Sequence, residues 1–129
     1  MKHITEFLNN FKINLKLKKN IFITKKTKLL YQLAKTFKLY GYITNIFIIK
    51  INNKNLMVIY IDYKINPLVT TIKQIYSFNI PLKTIFLNYN KLNKLNKTEF
   101  IILSTHKGIL SGQDAYNLKV GGKLLCSIK

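Results

Sequence analysis

A large excess of positive charge is the feature that most restricts how this chain can fold. The chain has 129 residues with 22 basic and four acidic side chains, which gives a formal charge of +18 and a sequence pI near 10.1. Because like charges repel, a compact free monomer is disfavoured and an anionic partner is expected. RNA, DNA and an anionic membrane surface are therefore the first candidate partners.

All of the basic side chains are lysines, since the sequence contains no arginine. Arginine is the better bidentate partner for phosphate and guanine, so its absence is not explained by nucleic-acid chemistry. Lys, Asn, Ile, Tyr and Phe all have codons rich in A and T. Their abundance therefore indicates a strongly A/T-biased genome.

The chain has enough apolar material for an ordered core, because hydrophobic residues make up 48% of it. Its length allows one ordinary domain or two very small ones. The single cysteine, Cys126, excludes an internal disulfide and a cysteine-based zinc site, and core packing is its expected role. The longest uncharged run, residues 39–49, is well below the ~18 residues that span a bilayer. We expect no membrane span, cofactor or metal ion.

The first part of the chain, residues 1–63, predicts an α-β-α-β-β unit. Apolar residues at helical spacing predict a first helix near the amino end, which we interpret as structure and not as a transit peptide. After the strand "NIFIT", a second helix starts at Thr27 and ends near Gly41, a typical left-handed cap. The β-rich runs "YITNIFIIKI" and "NLMVIYIDY", joined by "NNKN", predict a hairpin.

Residues 64–71, which contain Pro67, are predicted to be a linker. Residues 72–129 then predict a mainly β unit with one short helix, so the whole chain is expected to be an α+β protein of two small subdomains. Strands are predicted at "IKQIYSF", "KTIFL" and "EFIIL". The polar segment "NYNKLNKLNK" is predicted to be an ordered loop with room for one helical turn.

A polar loop is predicted at residues 104–108, followed by a short helix. Ser111 and Asp114 have the spacing of a capping box, and the helix should end before the double glycine and a last strand, "KLLCSI". In that strand Leu125 is expected to point opposite to Leu124 and Cys126. A loop beside a helix N-terminus can dock phosphates or base edges, whereas the alternative is a turn that satisfies its own amides.

The order of these C-terminal motifs resembles the bacterial-type small-subunit ribosomal protein eight family. That family has a buried strand, a Ser-Thr-Ser-Lys-Gly loop, a Thr/Ser-led helix and a Gly-Gly-Glu turn before an apolar strand with a cysteine. The matching residues here are Ser104, Thr105, His106, Lys107, Gly108, Ser111, Ala115, Gly121, Gly122, Leu124, Leu125 and Cys126. The resemblance extends to the first half at "EFLNNFK", "TKL" and "GYI".

The chain departs from the family pattern at several positions. His106 replaces the second Ser of the loop, Lys123 replaces the Glu after the double glycine, and Lys83 stands where Arg is usual. The family's Pro-Gly is lost in "NIPLK", and its glycines are missing from "NKTEF". The RNA contacts of the second half are therefore expected to differ in detail.

The resemblance implies a two-part α/β protein that binds an internally looped helix in the central domain of small-subunit ribosomal RNA and supports platform assembly. It implies contact with bases and backbone at Ser104 and Thr105, and close backbone approach at the double glycine. For His106 two roles are open: it stacks on a base, or it is exposed to solvent without an RNA contact. The full set of expected RNA-binding residues is Lys12, Lys28, Lys83, Ser104, Thr105, His106, Lys107, Gly108, Gly121, Gly122 and Lys123.

Other functions stay open at this point. One is a basic protein that coats nucleic acid in general or binds an anionic membrane. Another is an enzyme that uses Ser104, Lys107 and Asp114, but this set needs a base and an oxyanion site, and Asp114 is better used as a cap. We expect a non-enzymatic protein whose partners are ribosomal RNA and neighbouring small-subunit proteins, and which is not a homo-oligomer.

The compartment is predicted from the family match and the codon bias. The match begins at the first residues, without a presequence, and the composition is A/T-coded, so we expect synthesis inside an organelle. A mitochondrion is the first choice and a plastid-type organelle the second.

Overall fold

The computed structural model describes residues 2–77, 86–96 and 99–129. The chain forms two compact units, His3–Thr71 and Ile72–Lys129. Both contain helices and strands, so the predicted mixed fold class is confirmed. The exact domain boundaries and the linker at residues 64–71 stay predictions. In the described part of the chain, no helix is long and apolar enough to cross a membrane.

The first unit has the predicted α-β-α-β-β order. Its strands form an antiparallel sheet in the order β1-β3-β2, and its elements are α1 (Lys2–Lys16), β1 (Ile21–Lys25), α2 (Lys28–Leu39), β2 (Asn45–Ile51), β3 (Lys54–Tyr60) and a 3-10 helix (Pro67–Thr71). Asn52 and Asn53 form the β2–β3 turn with φ of +51° and +62°. A two-residue hairpin turn of type I′ requires positive φ at both positions, and Asn tolerates it.

Phenylalanine rings pack the two helices against one face of this sheet. Phe7 and Phe11 of α1 contact Phe22 of β1 and Phe37 of α2, with ring centroids between 5.3 and 6.3 Å apart. All four rings are buried. Phe7 and Phe11 are one helical turn apart and both face the core, as the sequence predicts. Helix α1 therefore packs on the sheet through this side.

Local hydrogen bonds close both ends of α2. Thr27 Oγ1 accepts a bond from the Leu30 amide at 3.1 Å. At the other end Gly41 has φ of +86°, its amide donates to the Lys38 carbonyl at 3.2 Å, and the Tyr42 amide donates to the Phe37 carbonyl at 2.9 Å. This pair of bonds is a Schellman motif, so the predicted cap at Gly41 is confirmed.

The second unit is a sheet with two short helices. Strand β8 pairs antiparallel with β4, β5 and β6, and β6 also pairs with β7; the elements are β4 (Ile75–Ser77), β5 (Phe86–Leu87), α3 (Tyr89–Leu95), β6 (Phe100–Thr105), β7 (Gly108–Ser111), α4 (Gly112–Asn117) and β8 (Gly122–Ile128). The predicted strands "IKQIYSF" and "KTIFL" are observed at β4 and β5, although residues 78–85 lie outside the described residues.

A hydrophobic cluster lies under one face of this sheet. Its buried members are Leu92 of α3, Ile101 and Leu103 of β6, Ala115 of α4, Val120, and Leu124 of β8. The segment that contains Leu92 was predicted to be a loop, but it forms a helix of seven residues. Burial of Leu92 in this cluster outweighs the weak helix propensity of the surrounding asparagines, and only the folded sheet provides that contact.

The predicted polar loop at residues 104–108 is instead the end of a β-hairpin. Ser104 and Thr105 belong to β6, and Gly108 begins β7, which the sequence interpretation missed. Gly108 has φ of +108°, a conformation that favours glycine and allows the chain to turn back at once. The chain therefore returns along β6 before α4 begins.

A register shift in β8 overturns the predicted alternation of its side chains. Ile102 pairs with Cys126, whereas Leu103 pairs with Leu124, so Leu125 is an extra residue. Neighbouring residues of β6 face opposite sides of the sheet, and paired residues share a side. Leu124 and Cys126 consequently lie on opposite faces, not on the same face as predicted. The β-bulge is the physical reason.

Candidate RNA interface

The β6–β7 hairpin presents a basic turn at the edge of the second unit. His106 and Lys107 are exposed at its tip, between the paired residues Thr105 and Gly108. A Cβ at Gly108 would meet nothing within 4 Å, so its positive φ is the reason for glycine there. The predicted site residues of this segment therefore lie together on one hairpin.

The hydroxyl of Thr105 is used within the turn. It donates a hydrogen bond to the Gly108 carbonyl at 2.9 Å and accepts one from the Lys107 amide at 3.1 Å. This arrangement matches the alternative stated from the sequence, a turn that satisfies its own amides. Thr105 thus shapes the surface that carries Lys107.

Ser104 has different surroundings from its neighbour. Its side chain has no hydrogen-bond partner within the described ranges, and it is partly exposed. Because Leu103 points into the hydrophobic cluster, Ser104 points to the opposite face of the sheet. This face is where a ligand can meet a free hydroxyl.

The strand register places a lysine and an aromatic ring beside Ser104. Ser104 pairs with Lys123, and Lys123 pairs with Phe86 on its other side. The three side chains therefore share one face, and Phe86 is 66% exposed. We call Phe86, Lys123 and Ser104 the cross-strand row. A hydroxyl, an ammonium group and an open ring are the groups that bind base edges, phosphates and base faces.

Sequence reasoning missed Phe86. Its position in a predicted strand was visible, but the identity of the neighbouring strand was not. The pairing with Lys123 joins segments that are far apart along the chain.

The double glycine lets the strands of this region approach closely. A Cβ on Gly121 would lie 2.5 Å from the Leu87 carbonyl oxygen, and one on Gly122 would lie 2.5 Å from the Ser104 carbonyl oxygen. Both distances are far below a van der Waals contact. The observed close approach is thus to the protein's own strands, and an approach to RNA stays a prediction.

Helix α4 is capped as predicted, and strand β7 lies between its N-terminus and the hairpin turn. Ser111 Oγ accepts from the Asp114 amide at 3.1 Å, which confirms the cap. Ser111 is 1% exposed, and Gly112 is also buried. Strand β7 lies between this helix end and Lys107, and its four residues span roughly 13 Å. A phosphate contact shared by the turn and the helix N-terminus stays a prediction.

Two predicted RNA-binding lysines lie in the first unit. Lys28 is exposed in the first turn of α2, and Lys12 is partly exposed on α1, both in the first unit. Lys83 lies outside the described residues.

The start of α2 also holds a lysine cluster that the sequence interpretation did not identify. The ammonium groups of Lys26 and Lys35 lie 5.4 and 5.1 Å from the Tyr31 ring centroid. The spacing of Tyr31 and Lys35 on one helix face was a usable signal.

Acidic side chains do little to neutralise this charge. No Asp or Glu occurs between Phe7 and Ile61 in the sequence. Within the described residues His3 Nδ1 lies 3.8 Å from the Glu6 carboxylate, a contact that is ionic only when the histidine is protonated, and the Lys129 ammonium group lies 3.9 Å from Glu99. Most lysines therefore keep a charge that an anionic partner can neutralise.

Comparison with known proteins gives matches over most of the chain. A family model described as ribosomal protein S8 matches residues 2–128. The small ribosomal subunit protein uS8 of Nitratiruptor sp. is 32% identical over 113 residues, which are 79% of this chain and 82% of that protein. The protein of the same name from Parabacteroides distasonis is 25% identical over 126 residues, 97% of this chain and 96% of that protein.

A further relative is small ribosomal subunit protein uS8c of Marchantia polymorpha. It is 30% identical over 106 residues, which are 79% of this chain and 78% of that protein. The family model spans almost every residue, including the hairpin, the double glycine and both units. The chain therefore belongs to the ribosomal protein S8 family, whose members are structural proteins of the small ribosomal subunit.

Proposed function

We propose that this protein binds the central domain of small-subunit ribosomal RNA and supports assembly of the platform. The observation that carries the proposal is the cross-strand row beside a lysine-bearing turn. It offers one face with groups for a base edge, a phosphate and a base plane. Double-stranded RNA hides its bases in a deep major groove, so this face suits irregular and unstacked nucleotides.

Each group has a distinct role in the proposal. Ser104 contacts a base edge or the sugar-phosphate backbone, Phe86 stacks on a splayed base, and Lys123 and Lys107 contact phosphates. His106 adds a further contact at the turn, and Thr105, Gly108, Gly121 and Gly122 support the backbone that presents them. Lys12 and Lys28 of the first unit contribute further phosphate contacts, and so does Lys83.

Binding to two RNAs tests the proposal. The full-length protein is titrated with a central-domain fragment and with a scrambled hairpin at two salt concentrations. We expect a preference for the fragment that persists at the higher salt. Ser104→Ala should reduce that preference by about 1 kcal/mol or more, roughly fivefold, whereas Ser104→Thr keeps the hydroxyl and should retain most of it.

Lysine variants separate charge from recognition. Lys107→Ala should weaken binding to both RNAs and reduce the salt slope by about one. Lys73→Ala, at another exposed lysine of the second unit, is the matched control, and it should change the affinity for both RNAs less. Equal affinity of the wild type for both RNAs, or tight binding to anionic vesicles, would instead support the general coat or membrane alternative.

An organellar ribosome is the proposed location, with a mitochondrion first and a plastid-type organelle second. The A/T-coded composition supports it, because all 22 basic residues are lysine. Mass spectrometry of small subunits purified from isolated mitochondria and plastids tests the assignment. Recovery of the chain only in cytosolic ribosomes would contradict it.

A further inference from the structure

The first unit has an open apolar surface on the outer face of its sheet. Cross-strand pairing assigns each strand residue to a face, and the residues here are on the face opposite to the buried Phe22 and Met57. We call them the outer-face patch: Ile21, Ile23, Phe47, Ile49, Ile51, Leu56, Val58 and Tyr60. Ile21 and Ile23 are each 54% exposed, and Phe47 and Ile51 are each 50% exposed.

No described element of the first unit covers this patch. On the central strand β3, Met57 and Ile59 are fully buried, whereas Leu56, Val58 and Tyr60 are only partly buried. Helices α1 and α2 cover the other face. Soluble proteins rarely leave contiguous apolar surface on this scale unless it is a contact site. Burial of these side chains against a partner would stabilise the complex through the hydrophobic effect.

Charges at the border of the patch restrict its partner. The three strands contain lysines but no Asp or Glu. Lys25 and Lys54 are exposed on the same face as the patch, at its β2–β3 hairpin end. A partner must therefore bring apolar side chains to the centre and negative charge to that end.

Two other occupants satisfy only part of this requirement. A second copy carries the same +18 charge and the same lysines, so its approach is opposed by repulsion. RNA offers phosphates to the lysines, but its backbone has no apolar surface to match Ile23 and Val58, and its phosphates would lose water there.

We propose that the outer-face patch binds an amphipathic helix of a neighbouring protein in the assembled small subunit. The helix turns its apolar side to the patch and places carboxylates near Lys25 and Lys54. Three strands spaced about 4.8 Å apart give a width of roughly 10 Å, which matches one helix. An antiparallel sheet can leave one face in water, but this second face is apolar, and a helix layer would bury it. The inference rests on the family's ribosomal role and not on the RNA contacts proposed above.

Photo-cross-linking in the native small subunit tests this assignment. Phe47 is replaced by p-benzoylphenylalanine in the full chain, and purified subunits that contain it are irradiated. We expect a cross-link to a protein segment with helical apolar spacing and Asp or Glu at one end. A cross-link to RNA, to a second copy, to lipid or to a segment without that pattern overturns the proposal, and so does the absence of any cross-link.

A charge variant adds a second criterion. Ile23 lies in the same row as Phe47, with Val58 between them. The carboxylate introduced by Ile23→Glu would face the partner's apolar side, so we expect loss of the cross-link. Leu39→Glu is the matched control, because Leu39 is 75% exposed at the end of α2 and the charge change is the same. In the Leu39→Glu variant the cross-link from position 47 should persist.

Parallel assays keep this proposal separate from RNA binding. Both variants are also titrated with the central-domain RNA fragment, and a failure of RNA recognition would appear there in the wild type as well. Where Ile23→Glu does not fold, Ile51→Glu at the other end of the patch replaces it. A folded patch variant that keeps the Phe47 cross-link at full yield overturns the proposal.

Discussion

Ser104 and Thr105 are adjacent hydroxyl residues with opposite tasks. The Thr105 hydroxyl makes two hydrogen bonds inside the hairpin turn, while Ser104 has no such bond in the described part of the chain. The net contribution of one hydrogen bond to the free energy of unfolding is about 1 kcal/mol. The same substitution should therefore have different effects at the two positions.

We expect Thr105→Ala to lower the free energy of unfolding by about 1–2 kcal/mol, because two turn hydrogen bonds are lost. Ser104→Ala should leave that free energy within about 0.5 kcal/mol of the wild type. Urea unfolding of the full chain measures both. Equal destabilisation by the two variants would show that the turn does not depend on Thr105.

Gly122→Ala should destabilise the protein by about 1–3 kcal/mol, since the new Cβ would lie 2.5 Å from the Ser104 carbonyl oxygen. Gly41 is a contrasting control, because it has φ of +86° and open space around it. Gly41→Asn should be milder than Gly41→Ala, whereas Gly122→Asn should be worse than Gly122→Ala. Thermal unfolding of the four variants tests this reversed order.

Burial raises the pKa of the Cys126 thiol from 9.0 to about 12. Between these values the folded chain keeps a proton that the unfolded chain loses, so stability should fall as pH rises above 9.0. One such group contributes at most about 1.4 kcal/mol per pH unit. Cys126→Ala removes this contribution, so the stability gap between wild type and variant should narrow from about pH 9 upward. A gap independent of pH would contradict the assignment.

At the scale of elements, local signals explain most of the first unit. Thr27 and Gly41 bound α2, and Asn52-Asn53 closes the β2–β3 hairpin, all through bonds or backbone angles within a few residues. The second unit depends more on distant contacts. Helix α3 packs Leu92 into a cluster that includes β6, α4 and β8.

The cap of α2 provides the prediction at this scale. Thr27→Ala should lower the free energy of unfolding by about 1 kcal/mol, because the Leu30 amide loses its acceptor. Thr27→Ser keeps the acceptor oxygen and should stay close to the wild type. Circular dichroism during denaturation measures both, and an Ala variant as stable as the Ser variant would contradict the role of the hydroxyl.

For the whole molecule, the dominant property is a formal charge of +18, and Glu6 and Glu99 each lie near one basic side chain in the described residues. Screening shortens the range of repulsion to about 10 Å at 0.1 M salt. The free chain should therefore depend on ionic strength more than a neutral protein does.

We expect the melting temperature of the free full chain to rise when NaCl increases from about 0.05 to about 0.5 M, because lysine repulsion is screened. The RNA complex should show the opposite trend, since salt weakens phosphate contacts. Differential scanning calorimetry of both samples measures the two slopes. A free chain that melts at a lower temperature in high salt would contradict the importance of self-repulsion.

The sequence by itself determined the basic charge, the α-β-α-β-β order, the caps at Thr27, Gly41 and Ser111, and the family. These depend on composition, on helical or strand periodicity and on bonds between residues close in the chain. Tertiary structure alone decided the cross-strand row, the bulge at Leu125, strand β7, helix α3 and the outer-face patch. Each depends on which strand lies beside which, and that pairing is a contact between distant segments that no local pattern contains.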